Sequence, residues 1–132
     1  MINNIRNVLR AGSLVFGLSA IALVATPTLF NELLGLTSTP ALDWSMRMTG
    51  VTLVALAGNM FSHSTRGSDA SVLLTGKVMA VGAFGLGVLT LLIPATFTWF
   101  SIAYAVIGFG FSAAYVVALS TGRAKSRSEQ SR

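Results

Sequence analysis

The residues best able to do chemistry in this sequence cluster between positions 43 and 63. At ~100° per residue, Ser45, Thr49, Thr52, Asn59 and His63 share one face of a helix, interrupted by Leu56. In a membrane span, polar side chains are expected to face the bundle interior, where they find partners. Such a stripe would form a polar pocket or a proton-handling site open to the cytoplasm. The plainer alternative is hydrogen bonding between helices, with His63 at the water line. Serine and threonine fill that plainer role cheaply, because their hydroxyls also bond to their own backbone. Asp43 and Arg47 stand four residues apart, a spacing that permits an ion pair on one helix face. That pair would bind a polar headgroup or substrate, or simply fix helix depth beside Trp44. Tyr104 and Tyr115 could donate to Asn59 or to a ligand, and phenols also serve as ordinary packing. The candidate ligand-binding set is therefore Thr52, Asn59, His63, Asp43, Arg47 and Tyr104.

Other chemistries find little support. His63 is the single histidine, and one imidazole without a carboxylate cluster does not close a zinc site. As a lone axial haem ligand it would have no accompanying signal. With no cysteine, disulfides, thiolate metal sites and a cysteine nucleophile are excluded. The four carboxylates, Glu32, Asp43, Asp69 and Glu129, all fall near or outside the boundaries of the apolar runs. A proton relay or buried metal site usually needs acids inside the spans, which counts against an ion-coupled transporter and a hydrolase. No catalytic residue, metal or cofactor is expected.

The elements that must position these residues are apolar helices. Hydrophobic residues make up 53% of the 132 and charged ones only 10%, against about 25% charged in a soluble domain. Mean hydropathy is +0.73, and a soluble chain this short would leave much of its apolar surface in water. Four runs approach the ~20 residues that a transmembrane helix needs: 11–30, 44–63, 72–93 and 97–120. Pro27 lies near the end of the first and Pro94 stops the third. The first run is longer than the apolar core of a signal peptide and is read as a retained span. Residues 123–132 form a basic, mobile cytoplasmic tail. Short connections make consecutive helices antiparallel neighbours, so the expected fold is all-α, one four-helix transmembrane bundle over residues 1–122.

Charge placement sets the orientation. Arg6, Arg10, Arg66, Lys77, Arg123, Lys125, Arg127 and Arg132 gather on one side, and only Arg47 falls on the other. Basic flanks mark the cytoplasmic side, which puts both termini in the cytoplasm of an inner membrane. The formal charge of +5 is thus a topology signal rather than a nucleic-acid one. Trp44, Trp99, Phe30, Phe97 and Phe100 fall at the opposite, outer interface, a depth that amphipathic indoles prefer. A shift of 67 residues superposes Arg10 on Lys77, Pro27 on Pro94 and Phe30 on Phe97. That is a parallel hairpin repeat, unless every outward-going helix simply needs a basic start and a stop.

Small residues recur at four-residue spacing: Ser13 and Gly17, Ala83 and Gly87, and Gly110, Ala114 and Ala118, with Gly82 and Gly85 beside the second pair. Lipid supplies no hydrophobic drive between helices, so such residues matter by letting backbones approach. They serve either self-association or packing within the bundle, the latter being the simpler reading. The glycines at 82–87 follow no strand and are not a nucleotide fingerprint.

The stretch 27–36, PTLFNELLGL, followed by 43–50, DWSMRMTG, resembles the first-loop region of DoxX-like small four-helix membrane proteins. The resemblance covers about a quarter of the chain. It implies a proline and a leucine–glycine pair after helix one, then an aromatic, an arginine and a glycine entering helix two. Members of that group are in part linked to respiratory quinone-dependent oxidoreductases, and no site residue is carried over. The expected function is a small accessory or scaffold subunit that associates laterally as a homo-oligomer or within a larger membrane complex. The alternatives are a ligand-binding or transport module using the polar stripe, and a membrane enzyme acting on a lipophilic substrate.

Overall fold

The structure is a computed structural model that describes residues 2–130, with side chains as far as residue 121. Five helices follow one another: α1 (Ile2–Ala25), α2 (Pro27–Leu33), α3 (Pro40–Arg66), α4 (Asp69–Leu91) and α5 (Trp99–Gln130). Among the described residues there is no strand. Helices α1, α4 and α5 are long and apolar enough to cross a bilayer. Helix α3 has the length, at 27 residues, but its polar residues keep it out of that class.

The expected boundaries shift for local reasons. The first run, 11–30, is split: α1 starts at Ile2, and Pro27 opens the separate helix α2 instead of ending the first one. Proline is at home at a helix start, where its missing N–H has no partner to lose, and Thr26 supplies the break with φ −134° and ψ 59°. The second run, 44–63, extends back to Pro40, because Thr39 caps the helix by accepting a hydrogen bond from Leu42 N at 3.2 Å. Ser68 caps α4 in the same way, so the expected 72–93 becomes Asp69–Leu91. The last run, 97–120, begins at Trp99 and continues as helix to Gln130. The segment expected to be a mobile tail is therefore helical backbone as far as Gln130, while Arg132 and the side chains of Arg123, Lys125 and Arg127 lie outside the described residues.

The helices form two tight pairs, α1 with α3 and α4 with α5, joined mainly through α1. Helix α1 buries Ile5, Leu9, Gly12 and Ala20, and α4 buries Val72, Gly76, Met79 and Gly87, each 67 residues further on. The second helices repeat at a shorter interval: Gly50, Ala57 and Met60 of α3 match the buried Ala105, Ser112 and Tyr115 of α5 at 55. The register thus recurs hairpin by hairpin, and the second copy has a shorter connection between its helices.

One hydroxyl bridges each pair at equivalent depth. Ser13 Oγ donates to the carbonyl of Ala57 at 2.8 Å in the first pair, and Ser112 Oγ to that of Ala80 at 2.9 Å in the second. Small residues let these helices meet. A Cβ on Gly50 would lie 2.7 Å from Val24 Cγ2, and one on Gly108 would lie 3.0 Å from Gly87 N. Ser13, Gly17, Ala83 and Gly87 accordingly pack within the molecule, and Gly110 faces open space.

At the end nearest residue 67, Arg6 of α1 ties off α3. Its guanidinium donates to the carbonyls of Ser64 at 3.0 Å and Gly67 at 2.7 Å, and pairs with Asp69 at 3.3 Å. At the opposite end, Phe30 of α2 packs edge-on against Phe100 and Tyr104, with centroids 5.3 and 5.5 Å away. Gly35 turns the chain with φ +79°, and a Cβ there would stand 2.9 Å from the Thr96 carbonyl oxygen, so the glycine of the leucine–glycine pair is a steric requirement. The outer surface is apolar: Leu14, Leu18 and Ile21 on α1, Val78 and Val81 on α4, and Val106 and Val117 on α5 are all exposed. So large an apolar surface belongs in lipid.

Candidate functional site

The polar stripe of α3 does not face the interior. Ser45, Thr49, Thr52 and Asn59 are exposed, and the buried side of α3 is Gly50, Ala57, Met60 and Ser64. The stripe satisfies itself along its own helix: Thr49 Oγ1 donates to the Ser45 carbonyl at 2.9 Å and Thr52 Oγ1 to that of Met48 at 3.1 Å. His63 Nδ1 lies 2.8 Å from the Asn59 carbonyl oxygen. Having met their needs locally, the hydroxyls and His63 do not require the interior, and Gly50 and Ala57 take the helix contact, while the exposed Asn59 amide is left facing outward.

Asp43 and Arg47 do not form the expected ion pair. Asp43 instead accepts from Thr28 Oγ1 at 2.8 Å, from Asn31 Nδ2 at 2.9 Å and from Ser38 Oγ. Arg47 lies over the Trp44 ring, 5.9 Å from its centroid. Asp43 sits just before the expected 44–63 span, and the Ser38 and Thr28 hydroxyls hold its carboxyl below the usual range, helped less by Asn31 and the Arg47 charge. Its contribution is therefore present above the ordinary value of 3.8 and disappears as pH falls through the depressed folded-state value. Thermal unfolding in detergent should show stability falling as the pH drops below the ordinary 3.8, with that acid limb weakened in Asp43→Asn. An unchanged acid limb in the variant would show that this knot does not hold α2 against α3.

A concave feature among the described residues lies elsewhere. Between the two hairpins, near the α2 end, is a cavity of about 210 Å³. Its walls are largely apolar, with Phe16, Leu23, Leu53, Ile93 and Phe111 among them. All five helices contribute, because α3 and α4 touch little and leave a gap between the pairs. The gap reaches the surface beside Thr49 and Leu86, both exposed. The polar atoms in the wall come from Ser19, Thr49, Thr90 and Tyr104, and among the described residues no charged one lines it.

Tyr104 donates to Ser19 Oγ across α5 and α1. A second, shallower hollow of about 250 Å³ lies behind this pair, and Ser19, Phe30 and Tyr104 line both. The Ser19–Tyr104 hydrogen bond and the rings of Phe30 and Tyr104 therefore lie between two apolar spaces. Two further polar atoms, Asn31 Oδ1 and the Tyr115 hydroxyl, are buried with no partner among the described residues. The Tyr115 hydroxyl occupies room that Gly12 leaves: a Cβ there would be 3.0 Å from it.

Of the six candidate ligand residues, only Tyr104 lines the cavity. Thr52 and His63 bond to α3's own backbone, Asn59 is exposed between them, and Asp43 and Arg47 belong to the α2-side end. Ser19, Phe30 and Thr90 were missed, since nothing local distinguishes a serine inside an apolar run. No protein-family model, curated protein or solved structure matches this chain.

Proposed function

We propose that the chain is a small inner-membrane protein of four spans, both ends cytoplasmic, that holds a lipid-soluble molecule between its two hairpins. The observation that carries this reading is the apolar cavity with a hydroxyl pair in its wall, which has the make-up of a small-molecule site: apolar lining with a few convergent polar groups. Counting α3 as the fourth span is supported by its length, about 40 Å at 1.5 Å per residue, and by its outward Trp44, Met48, Val51 and Phe61. The orientation rests on Arg6, Arg10, Arg66 and Lys77 standing at one end of the helices with Arg47 at the other. Kinship with the DoxX-like group is part of the same proposal, supported by the segments 27–36 and 43–50.

The test is mass spectrometry of lipophiles that co-purify in mild detergent. The wild type should retain a stoichiometric guest, and Leu53→Trp, which pushes an indole into the cavity, should lose it with the fold intact. Equal lipophile content in both preparations would overturn the reading.

A second reading, a scaffold subunit that associates laterally, has one observation in its favour. Asn59 is exposed beside Gly58, where a Cβ would meet nothing within 4 Å. An amide facing lipid next to such a notch favours contact with another helix, which could belong to a second copy or a larger complex.

A further inference from the structure

Resting on the cavity reading above, we propose that the guest is an uncharged lipophile bearing a hydrogen-bond-accepting oxygen, received by the hydroxyl hydrogen left over at the Ser19–Tyr104 pair. Two hydroxyls carry two hydrogens, and the bond between them uses one. Neither group bonds to any other described residue, whichever of the two is taken as donor. One O–H therefore remains available at the cavity wall. The other wall hydroxyls are already committed, Thr49 to the Ser45 carbonyl and Thr90 to the Leu86 carbonyl at 2.7 Å. They can only accept.

The donor is also a good one. When one hydroxyl donates to another, the second becomes polarised and donates more strongly, the more so in surroundings of low dielectric. Left unpaired in an apolar chamber, it is destabilising. A carbonyl or ether oxygen removes that penalty. A carboxylate, phosphate or ammonium does not fit, because among the described residues no charged side chain lines the space to balance it.

Position and size narrow the class further. Ser19 lies six residues before the end of α1, about 9 Å along the helix at 1.5 Å per residue. The acceptor oxygen thus sits below the interface, with the apolar body of the guest running past Phe16 and Phe111 toward mid-bundle. At ~30 Å³ per water, the cavity equals about seven waters, room for a short chain or a single ring and not for a whole diacyl lipid. Entry is lateral, through the gap beside Thr49 and Leu86.

The test uses 2-nonanone labelled with 13C at its carbonyl, and n-nonane of equal chain length, each titrated into nanodiscs with and without the protein. NMR should show saturable binding of both to the wild type, the ketone about tenfold tighter, with its carbonyl resonance shifted downfield. In the Ser19→Ala, Tyr104→Phe double variant, n-nonane should still saturate, which reports an intact cavity. The ketone's advantage and its shift should both vanish. A wild type that binds the two probes equally with no carbonyl shift would overturn the acceptor class and leave the cavity reading standing. A shift that survives in the double variant would place the donor elsewhere and overturn the assignment to this pair. Failure of both probes to saturate the wild type would take down the cavity reading together with this one.

Discussion

Gly108→Leu is expected to force α5 away from α4 and to destabilise the folded protein by about 3 kcal/mol or more, the upper range for overpacking. The reason is what surrounds the missing Cβ. It would stand 3.0 Å from Gly87 N, 3.1 Å from Gly87 Cα and 3.1 Å from the Ala83 carbonyl oxygen. All three are backbone atoms, so no rotamer change relieves the clash and the helices must separate. Separation weakens the Ser112 bridge to Ala80 and withdraws Phe109 from Gly87, where its ring carbons lie 3.1 Å from a would-be Cβ. Gly12 makes the contrast: a Cβ there meets Met60 Cε at 2.6 Å, the flexible tip of a side chain that can move. The comparison variants are Gly58→Leu and Gly110→Leu, which point into open space. Thermal unfolding in detergent should place both near the wild type and Gly108→Leu far below it. Native gels on the same samples separate packing from lateral assembly, since an outward glycine at an interface changes complex size without changing the melting temperature. A Gly108→Leu protein that melts with the wild type would mean that the two helices are not packed backbone to backbone.

What could be read from the sequence divides along physical lines. Helix existence was legible, because long apolar runs need their backbone amides paired internally whatever lies around them. Helix ends were less so. Pro27 can stop a helix or start one, and the choice depends on Thr26 leaving helical geometry, which no composition reveals. The repeat at 67 was visible in Arg10, Pro27 and Phe30, although what recurs most faithfully is the buried set from Ile5 to Ala20. The functional residues were harder. The α3 stripe has the right period, but period says only that residues share a face. Which face turns inward was decided by Gly50 and Ala57, whose small size lets α1 come close. Ser19 and Tyr104 are 85 residues apart, and their meeting depends on how the two hairpins sit together. Small-residue motifs succeeded in part for the same reason: Ala83 and Gly87 lie at a helix contact and Gly110 does not, although all three have the same local signature.

Arg6 shows how a residue read as a topology marker can also hold the fold, and Arg6→Ala is expected to cost about 2–4 kcal/mol, from the loss of two charge-assisted hydrogen bonds. The last carbonyls of any helix lack intrahelical donors and carry the negative end of its dipole. In α3 these include Ser64 O and, just past the helix, Gly67 O, which the two ends of one guanidinium reach at 3.0 and 2.7 Å. The site is sheltered, since the Arg6 side chain is only 19% exposed. Alanine would leave both oxygens without their donor where water has limited access. Lysine should recover about half of the loss, because a single ammonium keeps the charge but lacks the planar fork that spans two carbonyls. The ion pair with Asp69 is a minor partner: the Asp69 side chain is 72% exposed, and surface pairs of this kind contribute at most about 1 kcal/mol. Asp69→Asn should therefore melt close to the wild type, and the Arg6→Ala deficit should change little with added salt, which screens an exposed pair far more than a sheltered cap. Limited proteolysis at the turn around Gly67 and Ser68 provides a local readout, with faster cleavage expected in Arg6→Ala than in Asp69→Asn. Equal destabilisation by the two variants, erased by salt, would transfer the role from capping to the ion pair.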